Sequence, residues 1–304
     1  LPVPPEQVRV LIGTGSHRGN TPGELEAMFG ADVLRKVRVV NHDAFAPIEA
    51  VARSPWSDAQ AGSPSHGNEH VGTTEGGISV ALNTAYVRAD KRIAVGFIEP
   101  HFFAGFSGGP KAVAPGVVGL DTILALHSYD LIADPKSTWG VLDGNPVHEA
   151  IADAAGLCPP DFLVNVALNR DQAITGVFAG DCHAAHRAGC ADVRERALIP
   201  VSQTFPVVVT SNSGHPLDQN LYQSVKGMDA AAQIVAPGGT VIMASACSDG
   251  IPEHGNFGKL LREAPDIAAL DRKLRSLPSP MLDQWQVQVL LRVLDRCSVA
   301  LYSE

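Results

Sequence analysis

The sequence has no run of Lys and Arg, and its 23 basic residues are outnumbered by 32 acidic ones, for a net charge of −9. A duplex nucleic-acid binder usually carries a basic face, so no nucleic-acid partner is expected, and anionic membrane surfaces are disfavoured for the same reason. No apolar stretch reaches about 18 residues, so no transmembrane helix is expected. Cysteine is sparse and unpatterned: Cys158, Cys182, Cys190, Cys247 and Cys297 form no C-x-x-C pair, and their number is odd. Five scattered thiols in a chain of this length read as reduced and cytoplasmic. No secretory signal stands at the start. The chain opens on Leu1 and almost at once enters a strand, so the expectation is that residues are missing upstream.

What is present points to an α/β protein. A length of 304 residues is more than one core usually needs, so two domains are expected. The apolar share of 45% and charged share of 18% are those of an ordinary globular chain, and 29 Gly with 22 Pro fit short strands joined by tight turns. "QVRVLIGTGSH" (7–17) reads as a strand ending in a turn. In "TPGELEAMFG", Thr21 and Glu24 have capping-box spacing and Pro22 suits the first helical position. "VRVVNHD", "GISVALN" and "RIAVGFIEPH" are further strands, the last apolar enough for a sheet covered on both faces. Residues 52–75, polar and rich in Ser, Gly and Pro, read as a surface loop. "NPVHEAIADAAG" is a helix, and "FLVNVALN" and "ITGVFAGD" are strands. The resulting division is 1–180 as an N-terminal α/β domain, 181–200 as a connecting helix, 201–278 as a second α/β domain and 279–304 as a C-terminal connecting helix, in which Leu282, Trp285, Val289 and Val293 share one face.

The chemistry-bearing residues are concentrated in "EPHFFAGFSGGPK" (99–111). Gly105, Gly108 and Gly109 follow a strand, where glycines let backbone N–H groups approach a phosphate. The segment is neither a Walker A loop, because Pro110 and Ala112 flank Lys111, nor G-x-G-x-x-G. A tight turn explains the same glycines equally well. Lys111 has small apolar neighbours, and a partly desolvated lysine can serve as a nucleophile or attachment point. His17 and His101 each end a strand, the place where α/β sheets bind ligands, and a histidine suits proton transfer near neutral pH or metal ligation. His127 lies in a helical stretch, "GLDTILALHS". His66 and His70 fall in the polar loop and His183 and His186 on the connecting helix, so these four are left out of the site. Gln223 and Lys226, three apart on a helix, could hold a carboxylate.

Taken in order, "GTGSHR" (13–18), "EPHFFAGFSGGPK" (99–111), His127, "PLDQNLYQSVKGM" (216–228) and "DQWQVQ" (283–288) resemble the lactate racemase family, the nickel-pincer-dependent 2-hydroxyacid racemases and epimerases. The resemblance implies an isomerase with its site in a cleft between the two domains. It implies a nickel-pincer nucleotide (pyridinium-3-thioamide-5-thiocarboxylic acid mononucleotide) tethered to Lys111, made by separate maturation enzymes and absent from an apo preparation. His127 would ligate nickel, and Gly105, Gly108, Gly109 and Trp285 would lie by the cofactor. His17 and His101 would be the acid/base pair for hydride transfer through a 2-oxoacid, and Tyr222, Gln223 and Lys226 would bind the 2-hydroxyacid. The family's Asp-x-Thr-Arg-like segment ahead of "GTGSHR" has no counterpart here, and the 52–75 loop is longer than usual. The alternative is an inactive or regulatory relative that binds a small carboxylate or nucleotide. A metal-dependent hydrolase ranks last, for want of a carboxylate-rich cluster.

Overall fold

The structure, a computed structural model, describes residues 3–48, 67–253 and 255–303. The elements in chain order are β1 (Arg9–Ile12), α1 (Pro22–Phe29), α2 (Ala31–Lys36), β2 (Arg38–Asn41), β3 (Asn68–Thr73), β4 (Ser79–Asn83), α3 (Thr84–Val87), β5 (Ile93–Phe97), β6 (Pro100–His101), β7 (Gly105–Phe106), α4 (Leu120–Leu126), α5 (Tyr129–Ala133), α6 (Pro146–Gly156), β8 (Phe162–Leu168), β9 (Ile174–Gly180), α7 (Cys182–Ala197), β10 (Phe205–Ser211), α8 (Leu221–Ala232), β11 (Val235–Ala244), α9 (Phe257–Arg262), α10 (Ile267–Arg275), α11 (Gln284–Arg296) and β12 (Ser298–Tyr302). This is the α/β architecture expected.

The chain forms two compact units. One comprises Leu1–Pro100, Phe106–Leu126 and His148–Ala197; the other comprises His101–Gly105, His127–Val147 and Leu198–Glu304. The division is therefore not continuous in sequence. The segments 101–105 and 127–147, which the sequence reading assigns to an N-terminal domain, belong with the second unit.

In the first unit, β1 pairs parallel with β2, β5 pairs parallel with β8, and β8 pairs antiparallel with β9. The Thr21 hydroxyl receives the Glu24 N–H and the Glu24 carboxylate receives the Thr21 N–H, so the capping box forms as expected and starts α1 at Pro22. Helix α7 is no connector. Its Cys182, Ala185, His186, Gly189, Cys190 and Val193 repeat at helical spacing and are buried, and Cys182 and Ala185 pack on Ala94 of β5 and Leu163 of β8. Among the described residues the opposite face of this sheet is open at β5, where cover on both faces is expected: Ile93, Val95 and Phe97 are exposed, Val95 by 71%. Their alternation with buried Ala94 is that of a sheet packed on one side only. The polar stretch 52–75 is only partly open to description. Residues 68–73 are strand β3, paired antiparallel with β4, and residues 52–66, with His66, lie outside the described residues.

In the second unit, β10, β11 and β12 form a parallel sheet with α8 and α11 packed against it. The Asn220 side chain accepts the Gln223 N–H at 3.0 Å and caps α8. The last segment is more than a connecting helix. Helix α11 buries Trp285, Val289 and Val293 as expected, but Leu282 precedes it and is half-buried, and the chain then adds β12 to the sheet. No helix among the described residues is long and apolar enough to cross a membrane.

Candidate active site

Six of the residues singled out from the sequence are brought together in the second unit. His101 is half-buried, stacked on Phe102 at 4.7 Å between ring centroids and edge-on to Phe103 at 4.5 Å. Its Nδ1 receives the backbone N–H groups of Phe103 (3.4 Å) and Ala104 (3.2 Å). A backbone N–H can only donate, so Nδ1 is the acceptor, and a neutral His101 ring carries its proton on Nε2. His127 follows the end of α4 rather than lying within it, and is buried, its ring centroid 5.4 Å from that of Phe103, edge-on, and 4.6 Å from that of Trp285.

Trp285 Nε1 donates to the Tyr222 hydroxyl at 3.2 Å, and burial pushes the Tyr222 pKa up, so the phenol stays protonated. From the next turn of α8, Lys226 Nζ lies 5.9 Å from the centroid of the Phe102 ring and donates to Gln223 Oε1 at 2.9 Å. That bond fixes the Gln223 amide with its oxygen toward the lysine, leaving its NH2 to point elsewhere as a donor. Lys226 and Gln223 thus form a donor pair on half-buried surface, as a carboxylate requires.

The first unit holds the glycine turn and the lysine. Lys111 is half-buried in a single 3-10 turn, Gly109–Ala112. The glycines have packing reasons of their own. A Cβ on Gly108 (φ +76°) would meet Asn165 Oδ1 at 2.7 Å, and one on Gly109 (φ +55°) would meet the His186 ring at 2.3 Å. The Gly109 N–H donates to Asn165 Oδ1 at 2.8 Å. In the second unit, a Cβ on Gly105 would lie 2.0 Å from the Val141 carbonyl oxygen. The chain itself fills the space beside each glycine. The exposed His17 ends a turn in which its N–H donates to Thr14 O at 3.0 Å. In the same turn Gly15 N–H donates to Gly116 O, and Gly116 N–H donates in turn to Lys111 O. The strand-end loop of His17 and the segment bearing Lys111 are therefore adjacent.

Sequence reasoning missed two groups. One lies beside the glycine turn, where His186 is buried, its Nε2 2.9 Å from Ser107 O and its ring 5.9 Å from that of His148. Burial, and after it the electrostatic influence of the neighbouring His186, Arg187, His183 and Lys111, lower the His148 pKa to about 4. The signal was available, because His186 shares the apolar helical face of Cys182, Cys190 and Val193. The other group is Asp229, Arg292 and Trp139. Asp229 accepts from Arg292 at 2.9 Å and from Trp139 Nε1 at 2.7 Å, and no local pattern marks it.

Fold and side chains define an α/β protein of two units, each with its own set of chemistry-bearing groups. Residues 1–140 match the lactate racemase N-terminal domain and residues 201–304 the lactate racemase C-terminal domain. The chain is 38% identical over 291 residues to the lactate racemase of Thermoanaerobacterium thermosaccharolyticum, covering 94% of this chain and 63% of that protein. It is 36% identical over 296 residues to that of Lactiplantibacillus plantarum, covering 96% and 64%. It thus spans a little under two thirds of the length of these curated relatives. The fold superposes on the lactate racemase apoprotein structure from T. thermosaccharolyticum with a TM-score of 0.87 at 37% identity, covering 98% of this chain and 67% of that one. A Thermotoga maritima crystal structure shares the fold at a TM-score of 0.67 and 18% identity, covering 97% and 75%. The chain belongs to the lactate racemase family.

Proposed function

We propose that the chain carries the reaction centre of a racemase or epimerase of 2-hydroxyacids. The observation that supports this reading most is the joined set of His101, His127, Tyr222, Gln223, Lys226 and Trp285, in a chain of this family. In it, Lys226 and Gln223 bind the substrate carboxylate. The aromatic ring of Phe102 lies under the ammonium, where lower solvent screening strengthens the ion pair.

His17 and His101 handle the hydroxyl proton. The hydrogen on C2 of a hydroxyacid is a poor acid, so it leaves more easily as hydride while a base takes the hydroxyl proton. A histidine for each orientation of the planar oxoacid lets the hydrogen return to either face. On His101 the exchanging atom is Nε2, because Nδ1 faces the backbone N–H groups. Tyr222, kept protonated, and Trp285 form the wall beside His127.

The residues fit the nickel-pincer nucleotide of the family. Lys111 offers an amine on a 3-10 turn, and His127 a buried imidazole, a good nickel ligand. When bound, the nucleotide supplies the acceptor for the hydride. Gly105, Gly108 and Gly109 are required by packing in any case, so contact with the nucleotide is a second role for them. The maturation enzymes that build the group are the partners this reading requires. The test is to co-express the chain with them and incubate it with single enantiomers of a 2-hydroxyacid series, reading products by chiral chromatography. Racemisation of at least one acid, lost in H17A and H101A, is expected. A nickel-loaded protein inert toward all of them would overturn the proposal.

A further inference from the structure

We infer that the ion pair of the buried Asp229 with the half-buried Arg292, together with Trp139, is the positioning device of His101. The loop His101–Gly105 spans the turn of the two-stranded ribbon β6–β7, and its carbonyls draw further donors from outside that ribbon. Three are provided from elsewhere in the same unit. Arg292 of α11 donates to Phe102 O at 3.2 Å, Asn145 Nδ2 donates to Phe103 O at 2.9 Å, and Gly140 N–H donates to Gly105 O at 2.9 Å. Arg292 is itself fixed in direction, since its other donors reach Ser137 O at 3.0 Å and Asp229 Oδ1 at 2.9 Å. Asp229, 1% exposed, has its second oxygen on Trp139 Nε1 at 2.7 Å.

The geometry makes this more than scaffolding. The same short loop turns the Phe103 and Ala104 N–H groups onto His101 Nδ1, which fixes both the ring's orientation and the tautomer of its neutral form. It also sets the Phe102 ring under Lys226. A guanidinium is needed, because one planar fork serves three acceptors at once and an ammonium cannot match that geometry. A displacement of the Phe102 carbonyl would release the proton-exchanging histidine and the carboxylate-binding lysine together.

The catalytic half of this inference rests on the proposed racemase reading; the state of the ring does not. The test uses the whole chain with 15N-labelled histidine, the His101 signals being identified by their loss in H101Q. In the wild type, the neutral form of the His101 ring should be protonated at Nε2. In R292K, and more weakly in W139F, the spectrum should move toward a mixture of tautomers. In the loaded enzyme, kcat for a 2-hydroxyacid should fall by about 10- to 100-fold, the range seen when an outer partner of a reacting group is lost. A native His101 spectrum in a folded R292K protein overturns the inference. Should R292K not fold, a native His101 spectrum in W139F overturns it instead, since that variant leaves the ion pair in place. A wild-type protein with the expected ring state but no turnover would overturn the racemase reading and leave the positioning role standing.

Discussion

Replacing Gly109 by Ala tests the packing account of the glycine turn directly. Gly109 has φ +55°, and an added Cβ would lie 2.3 Å from Cγ of His186. The left-handed backbone costs an L-residue about 1–2 kcal/mol. Forcing a methyl group against a ring already held on Ser107 O adds an overpacking cost of about 1–3 kcal/mol. The sum, about 2–5 kcal/mol, is a large part of the roughly 5–15 kcal/mol by which a native protein is stable. The two costs can be separated. In H186A the ring is gone, so adding G109A to it should cost only the backbone share, about 1–2 kcal/mol. Denaturant unfolding of the four proteins gives the cycle. A G109A protein as stable as wild type would refute both costs, and an unchanged G109A penalty in the H186A background would refute the clash with the ring.

Other parts of the chain give three further tests. The buried His42 and His148 have pKa values lowered to about 4, mainly by burial, against about 6.5 unfolded. Between these values the unfolded chain binds more protons than the folded one, so stability should be complete above about pH 6.5 and fall as pH drops toward 4. A melting temperature flat across that window would count against both burials, and H148Q should lessen the slope. T21A removes the cap of α1 and should cost about 1 kcal/mol in denaturant unfolding, where no change would show that the box is not formed in solution. K226M should raise KM for a 2-hydroxyacid far more than Q223A does, since it removes the charge; equal effects would argue against a carboxylate at that pair.

The parts of this protein that were legible in sequence are those governed by neighbours along the chain. The capping box of α1 and the buried face of α11 need only residues three and four apart. Helix α7 had the same signal, with His186 in register with Cys182 and Cys190, yet its polar outer face made it look like a link between domains. Strand β12 is five residues directly after a helix and becomes a strand only because β11 offers it an edge. The exposed apolar face of β5 reads like a buried one, because the sequence records side-chain type and not what lies above the sheet. For the site, His101, Phe102 and Phe103 could be picked out as a motif. Asp229 and Arg292 could not, since they are 63 positions apart and meet only through packing of α8 and α11. The glycines show the limit of a motif: a phosphate and a nearby side chain both demand a missing Cβ.

The most direct test of the proposed chemistry is an intact mass with nickel analysis, on the chain co-expressed with the pincer-maturation enzymes. A covalent adduct that maps to Lys111, with near-stoichiometric nickel that falls in H127A, is the predicted result. An unmodified, nickel-free chain, or an adduct that persists in K111A, would contradict it.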